Sequence, residues 1–391
     1  MKSTRRVAQA GFLILTVVGV FVVKGHAERW CPLGGVEALY GYLTVGSMAC
    51  SLGVSNFYIL GGVLLLALLA RRAFCGYACP IGTISEWLHL AARRLGLRAV
   101  RVPYPLERTL ALLKYVVLGL ILYFTWRVGE LVFRGYDPCY ALISRHGEDI
   151  TGWAYVISGA IVLASLVLML PFCRWLCPLA AVFTPFSRFG LARVRRHGPA
   201  CVDCGVCGRV CPMAIPVDRL TEVTAARCTS CLDCVQACPQ RAAGALTWGP
   251  PRWLGRGWSP VVAVVALLGC IGGAVAATYA FPLPSFVWTR GTPPARTATL
   301  WLEVVGVRCR HSTELFADQF DREDEYRVNG YLRVEAWPDP RAGRVRLTYD
   351  SQATSEAAIK RAITEPLFDA QRNTWRFSAY QIVGYDPLAE D

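Results

Sequence analysis

The sequence contains no serine, histidine or carboxylate constellation of the kind that serves hydrolysis. It has no groove-reading helix and no RNA-binding strand motif, so the excess of 41 Lys+Arg over 28 Asp+Glu does not point to nucleic acid. Charge is scarce throughout, at 18% of residues, whereas 54% are hydrophobic and the mean hydropathy is +0.36. That balance argues against an ordinary soluble globule and for a membrane protein.

Five apolar runs are long enough to span a bilayer, at about 7–23, 52–70, 109–126, 153–172 and 260–284. The first is read as a retained anchor rather than a signal peptide, because four more follow, although Gly25-His26-Ala27 mimics a cleavage site. The charge between the runs alternates. The N-terminus, segment 71–114 and segment 172–258 carry excess positive charges of 3, 6 and 7, while the segments between and after them lie between −2 and 0. By the positive-inside rule the three basic segments face the cytosol and the C-terminal region faces the periplasm of a multi-pass inner-membrane protein. The bilayer is thus the first partner. Residues 84–97 read as an amphipathic helix on the inner face, with His89 as a surface or packing residue.

Seventeen cysteines are present, and their spacing carries the chemistry. Residues 201–212 and 228–239 each read C-x2-C-x2-C-x3-C-P, the run that binds a [4Fe–4S] cubane, with the fourth cysteine of each block serving the other cluster. Cys201, Cys204, Cys207 and Cys238 form one ligand set, and Cys228, Cys231, Cys234 and Cys211 the other. Zinc knuckles use CxxC pairs rather than four-cysteine runs, and a cytosolic location disfavours disulfides. Two [4Fe–4S] clusters are expected.

A second pattern is duplicated. Phe74-Cys75-Gly76-Tyr77-Ala78-Cys79-Pro80 and Phe172-Cys173-Arg174-Trp175-Leu176-Cys177-Pro178 both end an apolar run. Cys31 and Cys139 are expected at matching outer positions, so each half reads as span, outer cysteine, span, inner motif. The four-residue spacing predicts that both cysteines of an inner motif share one helical face. Cys75, Cys79, Cys173 and Cys177 would then suit a further Fe–S or metal site, a dithiol–disulfide set, or helix-end packing. Cys50 and Cys270 read as packing residues.

Beyond Gly291-Thr292-Pro293-Pro294, alternating and helical segments predict a β-α-β-β-α-β order. The fold class expected is an α-helical membrane bundle of about five spans, with an inserted 2[4Fe–4S] ferredoxin module and a C-terminal α+β ferredoxin-like (βαββαβ) domain. The boundaries expected are 1–198 for the four-span domain, 199–250 for the ferredoxin module, 251–290 for the fifth span and 291–391 for the last domain.

With its paired inner motifs and double ferredoxin run, the chain resembles the polyferredoxin-type membrane proteins of the NapH, NosR and CcoG group over about residues 7–250. The resemblance implies electron transfer between a cytosolic or quinol donor and a membrane or periplasmic acceptor, in an oxidoreductase component rather than a self-contained enzyme. The basic inner surface would suit an acidic flavodoxin or ferredoxin as redox partner, and quinone is a further candidate. The last domain resembles heavy-metal-associated domains, whose two-cysteine loop falls on Gly306–Ser312. Cys309 matches, Ser312 replaces the second thiol, and Cys309 with His311 would make a weak soft-metal site. That likeness implies an alternative role in copper or metal homeostasis, or in assembly of a respiratory enzyme.

Overall fold

A computed structural model describes residues 2–22, 31–45, 54–100, 102–128, 135–143, 150–251, 257–308, 310–322, 326–339, 341–369 and 374–386. Cys50 and Cys309 lie outside these residues, as does Gly25-His26-Ala27. The chain forms two compact units, Met1–Val36 with Ser55–Tyr279, and Glu37–Val54 with Ala280–Asp391.

The first unit is mostly helical. Helix α1 (Lys2–Val17) continues as a π-helical turn, Val18–Val22, and is followed by α2 (Pro32–Val45), α3 (Val54–Ala70), α4 (Ala73–Tyr77) and α5 (Pro80–Arg94). After α6 (Tyr104–Leu110), α7 (Leu113–Val128), α8 (Pro138–Ile143) and α9 (Gly152–Val167), a π-helical turn at Phe172–Leu176 leads into α10 (Pro178–Arg188). The cysteine-rich segment is framed by β1 (Arg193–Arg196) and β2 (Leu246–Gly249), which pair antiparallel, and holds the short α11 (Val206–Arg209) and α12 (Asp233–Gln236). Helix α13 (Val261–Ala280) closes the unit.

Among the described residues three helices, Thr4–Val22, Pro105–Thr125 and Val261–Ala280, are long and apolar enough to cross a membrane, while Val54–Ala70 and Gly152–Val167 are apolar but shorter. The two short ones are the helices that lead into the inner cysteine motifs. Helix α3 is stopped by the left-handed Arg71 (φ 57°), a conformation that no right-handed helix can pass through, whereas α9 ends at the extended Leu168 (φ −116°, ψ 137°), with the left-handed Leu170 (φ 53°) two residues further on.

The cysteine-rich segment is packed onto these helix ends by buried polar groups. Arg5 of α1 forms a buried ion pair with Glu86 of α5 and reaches Asp233 Oδ2 at 3.1 Å. Gln9 donates to Gly76 O at 3.1 Å and to Glu86 at 3.0 Å. Glu107, 1% exposed, accepts from Arg174 and from Trp175 Nε1 (2.9 Å), with Arg227 at 3.6 Å. Arg5 is therefore an anchor and not merely a topology charge. Helix α5 also differs from the expected surface helix. It starts at Pro80, and its polar face (Thr83, Ser85, Glu86, His89) is buried, with Ser85 Oγ 2.8 Å from Ser165 Oγ of α9.

In the second unit, β3 (Phe286–Arg290), β4 (Thr297–Val305), β5 (Leu332–Trp337), β6 (Gly343–Asp350) and β9 (Gln381–Ile382) form one antiparallel sheet in the order β3-β5-β6-β4-β9. Helices α14 (Arg310–Asp318) and α15 (Glu356–Thr364) contribute Phe316, Ile359 and Ile363 to a core with Leu302, Val304, Leu332, Val334, Val345 and Leu347 of the sheet. Two features differ from the expected order. Strand β3 is added at one edge, and a separate hairpin, β7 (Leu367–Asp369) with β8 (Thr374–Arg376), precedes the final strand.

Buried ion pairs add little net stability, but removing one partner strands the other and costs about 3–5 kcal/mol. Glu107→Ala, which strands Arg174, is expected to lower the midpoint of thermal unfolding of the detergent-solubilised protein well beyond Glu303→Ala, whose partner Arg344 is exposed. Equal midpoints would contradict this role of Glu107.

Candidate iron–sulfur site

The cysteine-rich segment encloses two small cavities. One is lined by Cys211, Cys228, Cys231 and Cys234, the other by Cys201, Cys204, Cys207 and Cys238. These are the two cross-block sets read from the spacing. Among the described residues no three His, Cys, Asp or Glu side chains converge on a single-ion position. Each set of four cysteines lines a void, an arrangement with room for a polynuclear cluster.

The backbone around the cavities repeats. Asp203 (φ 48°) and Gly205 (φ 67°) in the first block occupy the same offsets from the leading cysteine as Ser230 (φ 49°) and Leu232 (φ 62°) in the second. Left-handed backbone costs about 1–2 kcal/mol at a non-glycine residue. Alternating it with right-handed residues curls the loop and turns successive N–H groups inward, making a nest for an anionic group. Three non-glycine residues held this way are an observation in favour of an anionic cluster in each loop.

The two sets differ in burial. Cys204 is exposed and Cys201 half-buried, whereas Cys231 and Cys234 are buried. Burial pushes the Cys211 thiol up to about 11 and raises the Cys228 and Cys207 thiols too. At neutral pH these groups are therefore protonated until a metal displaces the proton.

The buried set sits directly on the first inner motif. Arg72 N–H donates to Cys228 O at 3.2 Å, Tyr77 OH donates to Ser230 O at 3.1 Å, and Ser230 Oγ donates to Ala70 O at 2.8 Å. A Cβ on Gly76 would stand 2.9 Å from Thr229 O, so only glycine fits between Cys75 and Tyr77. Arg71, itself buried, donates to Ala192 O, Thr224 O and Ala225 O at 2.8–3.1 Å and interacts electrostatically with Cys228.

The four inner cysteines are also brought together. Cys173 interacts electrostatically with Cys79, Cys177 and Cys75, and Cys177 with Cys75 and Cys79. Neither motif, however, places its two cysteines on one helical face as the spacing suggested. Cys75 lies in α4, while Cys79 is the N-cap of α5 with φ −66°, ψ 120°. Cys173 lies in the π-helical turn, while Cys177 is the N-cap of α10 with φ −63°, ψ 116°. The reason is the following proline, which bars its predecessor from helical backbone and occupies the first helical position. The junctions match in hydrogen bonding as well, with Cys79 N–H to Phe74 O at 3.0 Å and Cys177 N–H to Phe172 O at 2.9 Å. Both second cysteines thus sit at the N-terminal end of a helix, where backbone N–H groups partly offset the burial that disfavours a thiolate.

A cleft of about 950 Å³ opens beside Cys211, with Arg6, Arg93, Arg209 and Arg219 among its lining. His89 forms part of its wall and is only 7% exposed, with Nδ1 buried and without a hydrogen-bond partner. In the second unit His311 is exposed on the first turn of α14. Ser312, where a metal-binding loop carries its second thiol, uses its hydroxyl to accept the Arg308 N–H at 2.9 Å.

The family described as "4Fe-4S binding domain" matches residues 52–98 and 150–197, and "4Fe-4S dicluster domain" matches 193–244. The first description falls once on each half of the repeat. Among curated proteins the chain is similar to "Putative electron transport protein YccM" of Escherichia coli (strain K12), 30% identical over 70% of this chain and 81% of that protein. It is 26% identical to "Ferredoxin-type protein NapH" of Haemophilus influenzae, over 61% of this chain and 86% of that protein. It is 30% identical to "Regulatory protein NosR" of Pseudomonas aeruginosa, over 43% of this chain but only 24% of that protein. No solved structure matches.

Anaerobically purified protein is expected to carry at least about eight iron and eight acid-labile sulfide, as two cubanes require. Cys231→Ser, in the buried set, is expected to destabilise the protein more than Cys204→Ser at the surface, read as iron content and thermal midpoint. Equal losses would contradict the difference in burial, and zinc in place of iron would overturn the site.

Proposed function

Since the chain belongs to the polyferredoxin-type NapH/NosR group of 4Fe–4S electron-transport proteins, we propose that it passes electrons between a donor on the cytosolic side of the inner membrane and an acceptor in or across it. The two four-cysteine sets are the proposed ligands of two [4Fe–4S] clusters, each able to take up or release one electron at a time. The observation that carries the reading is the seating of Cys228–Cys231 on Gly76 and Tyr77, which leaves no gap between the ferredoxin segment and the first inner motif.

The residues divide the work. Cys201, Cys204, Cys207 and Cys238 are the partner-facing set, because Cys204 is exposed and Cys201 and Cys238 are half-buried. Cys211, Cys228, Cys231 and Cys234 are the inward set, where burial excludes water. Arg71 balances negative charge near Cys228. Cys75, Cys79, Cys173 and Cys177 form the onward relay, as a metal centre or a dithiol set. The arginines of the cleft beside Cys211 would complement an acidic flavodoxin or ferredoxin, or a quinone headgroup reaching His89. The topology proposed has five spans, with the ferredoxin segment cytosolic and the last domain periplasmic.

The strand order of the second unit supports a βαββαβ ferredoxin-like domain with an added edge strand. A copper-delivery or assembly role draws less support, because the Ser312 hydroxyl is engaged in the turn that starts α14. We therefore read this domain as a docking module.

Residues that share one centre behave non-additively. Single changes of Cys75, Cys79, Cys173 or Cys177 to Ala are expected to cost similar electron-transfer activity, and Cys79→Ala with Cys177→Ala little more than either alone. The assay is reduction of the acceptor by purified protein that retains its ferredoxin-segment iron. Near-normal transfer in the double variant would show that these cysteines only pack.

A further inference from the structure

The inner thiols have neighbours that the duplicated motif does not include. Cys31, expected at the outer end of the spans, packs against the same hydrophobic cluster as Cys75 and Cys177. It also interacts electrostatically with Cys79. Its carbonyl accepts from Asn56 Nδ2 at 2.9 Å, and Asn56 is fully buried, so the backbone at this point is fixed. Asp137, only 8% exposed, interacts with both Cys79 and Cys177.

These two residues repeat the local chemistry of the inner motifs. Cys31 precedes Pro32 at the start of α2, and Asp137 precedes Pro138 at the start of α8. Cys79 and Cys177 stand in the same relation to Pro80 and Pro178. Four helix starts thus each carry a metal-ligand type of side chain before a proline, and Cys31, Asp137 and Cys177 are each electrostatic neighbours of Cys79. The structural counterpart of Cys31 in the second half is Asp137 and not Cys139, the match that alignment on cysteines alone suggests.

A separate observation concerns charge. Arg72 is 1% exposed and interacts electrostatically with Cys75, Cys177 and Cys173. One amino group donates to Thr184 Oγ1 at 2.6 Å, but Nε is buried and has no hydrogen-bond partner. A guanidinium cannot discharge itself, and a buried donor left unpaired costs about 1–3 kcal/mol or more. It calls for an anion beside the thiols.

We propose that Cys31 and Asp137 belong with Cys75, Cys79, Cys173 and Cys177 to one buried iron–sulfur centre whose negative charge is balanced by Arg72. Five thiolates and a carboxylate are hard to hold together by themselves, and iron supplies the positive charge that holds them. Asp137 is the one oxygen donor, and a carboxylate is a more readily exchanged iron ligand than a thiolate. The inference rests on the relay reading of the inner motifs and adds residues, a counter-charge and a chemical identity to it.

The test uses the full-length protein purified anaerobically in detergent, with iron and sulfide analysis and EPR after reduction. Wild-type protein is expected to hold about two or more iron beyond the roughly eight of two cubanes. Cys31→Ala and Asp137→Ala should each lose this surplus while both cubane signals persist. Asp137→Cys should retain it, because a thiolate replaces the carboxylate, and Cys270→Ala, in the buried face of α13, should leave it unchanged. Should Cys31→Ala fail to accumulate, the nearly isosteric Asp137→Asn takes its place, with the same expected loss. Surplus iron that survives in the Cys31 and Asp137 variants but disappears in Cys79→Ala overturns this proposal and leaves the relay reading standing. Wild-type protein without surplus iron, but with electron transfer that depends on Cys79 and Cys177, also overturns it and leaves a dithiol relay. No surplus together with normal transfer in the Cys79→Ala, Cys177→Ala variant overturns both.

Discussion

A proline disfavours helical backbone in the residue before it, and the architecture of the inner motifs depends on that restriction. In each half a helix ends short of the motif, at Arg71 or at Leu168, and the chain turns so that a cysteine stands in extended backbone at the start of the next helix. Without the proline the two helices would run together and the second cysteine would point away along a continuous cylinder. With it, Cys79 and Cys177 face one another from matching helix ends. The duplication of the sequence thereby becomes a duplication of geometry, and the electrostatics of two helix N-termini are focused on the same thiols.

Buried charge does the rest of the positioning. Glu86 lies on α5 and Glu107 on α6, and each accepts from an arginine of another segment. Each assembly also reaches the second cysteine block, through Arg5 to Asp233 and through Arg227 to Glu107. The adjacent arginines Arg71 and Arg72 face opposite neighbours, one toward Cys228 and the other toward Cys75, Cys173 and Cys177. Such pairs are poor sources of net stability. Their value here is registration, since a displaced ferredoxin segment would strand several charges at once.

Much of this was legible in the sequence where a short spacing carries the information. The cross-block grouping of the cysteines follows from a fixed spacing, and the same four residues line each cavity. The apolar runs and the alternating strands of the last domain follow from periodicity. What escaped depends on distant partners. Arg5 and Glu86 are separated by 81 residues and Arg174 and Glu107 by 67, and nothing local marks them as pairs. Strand β3 was hidden at the end of the fifth apolar run because its partner, β5, lies far along the chain. The one-face reading of the inner motifs failed for a local reason that was available, the constraint of Pro80 and Pro178 on the cysteines before them. Aligning cysteine with cysteine likewise concealed the match of Cys31 with Asp137, which a comparison of the residues before proline reveals.

The central claim is that the ferredoxin segment and the inner thiols form one electron path through the membrane unit. The most direct measurement supplies a membrane-impermeant reductant to proteoliposomes that hold a sealed, impermeant one-electron acceptor, and follows reduction of the acceptor by its absorbance. The account predicts reduction in wild-type vesicles, with loss of most of it when the inner cysteines are replaced and the ferredoxin-segment iron is intact. An acceptor that stays oxidised while the ferredoxin-segment iron is reduced, or that is reduced equally well without the inner cysteines, would contradict it.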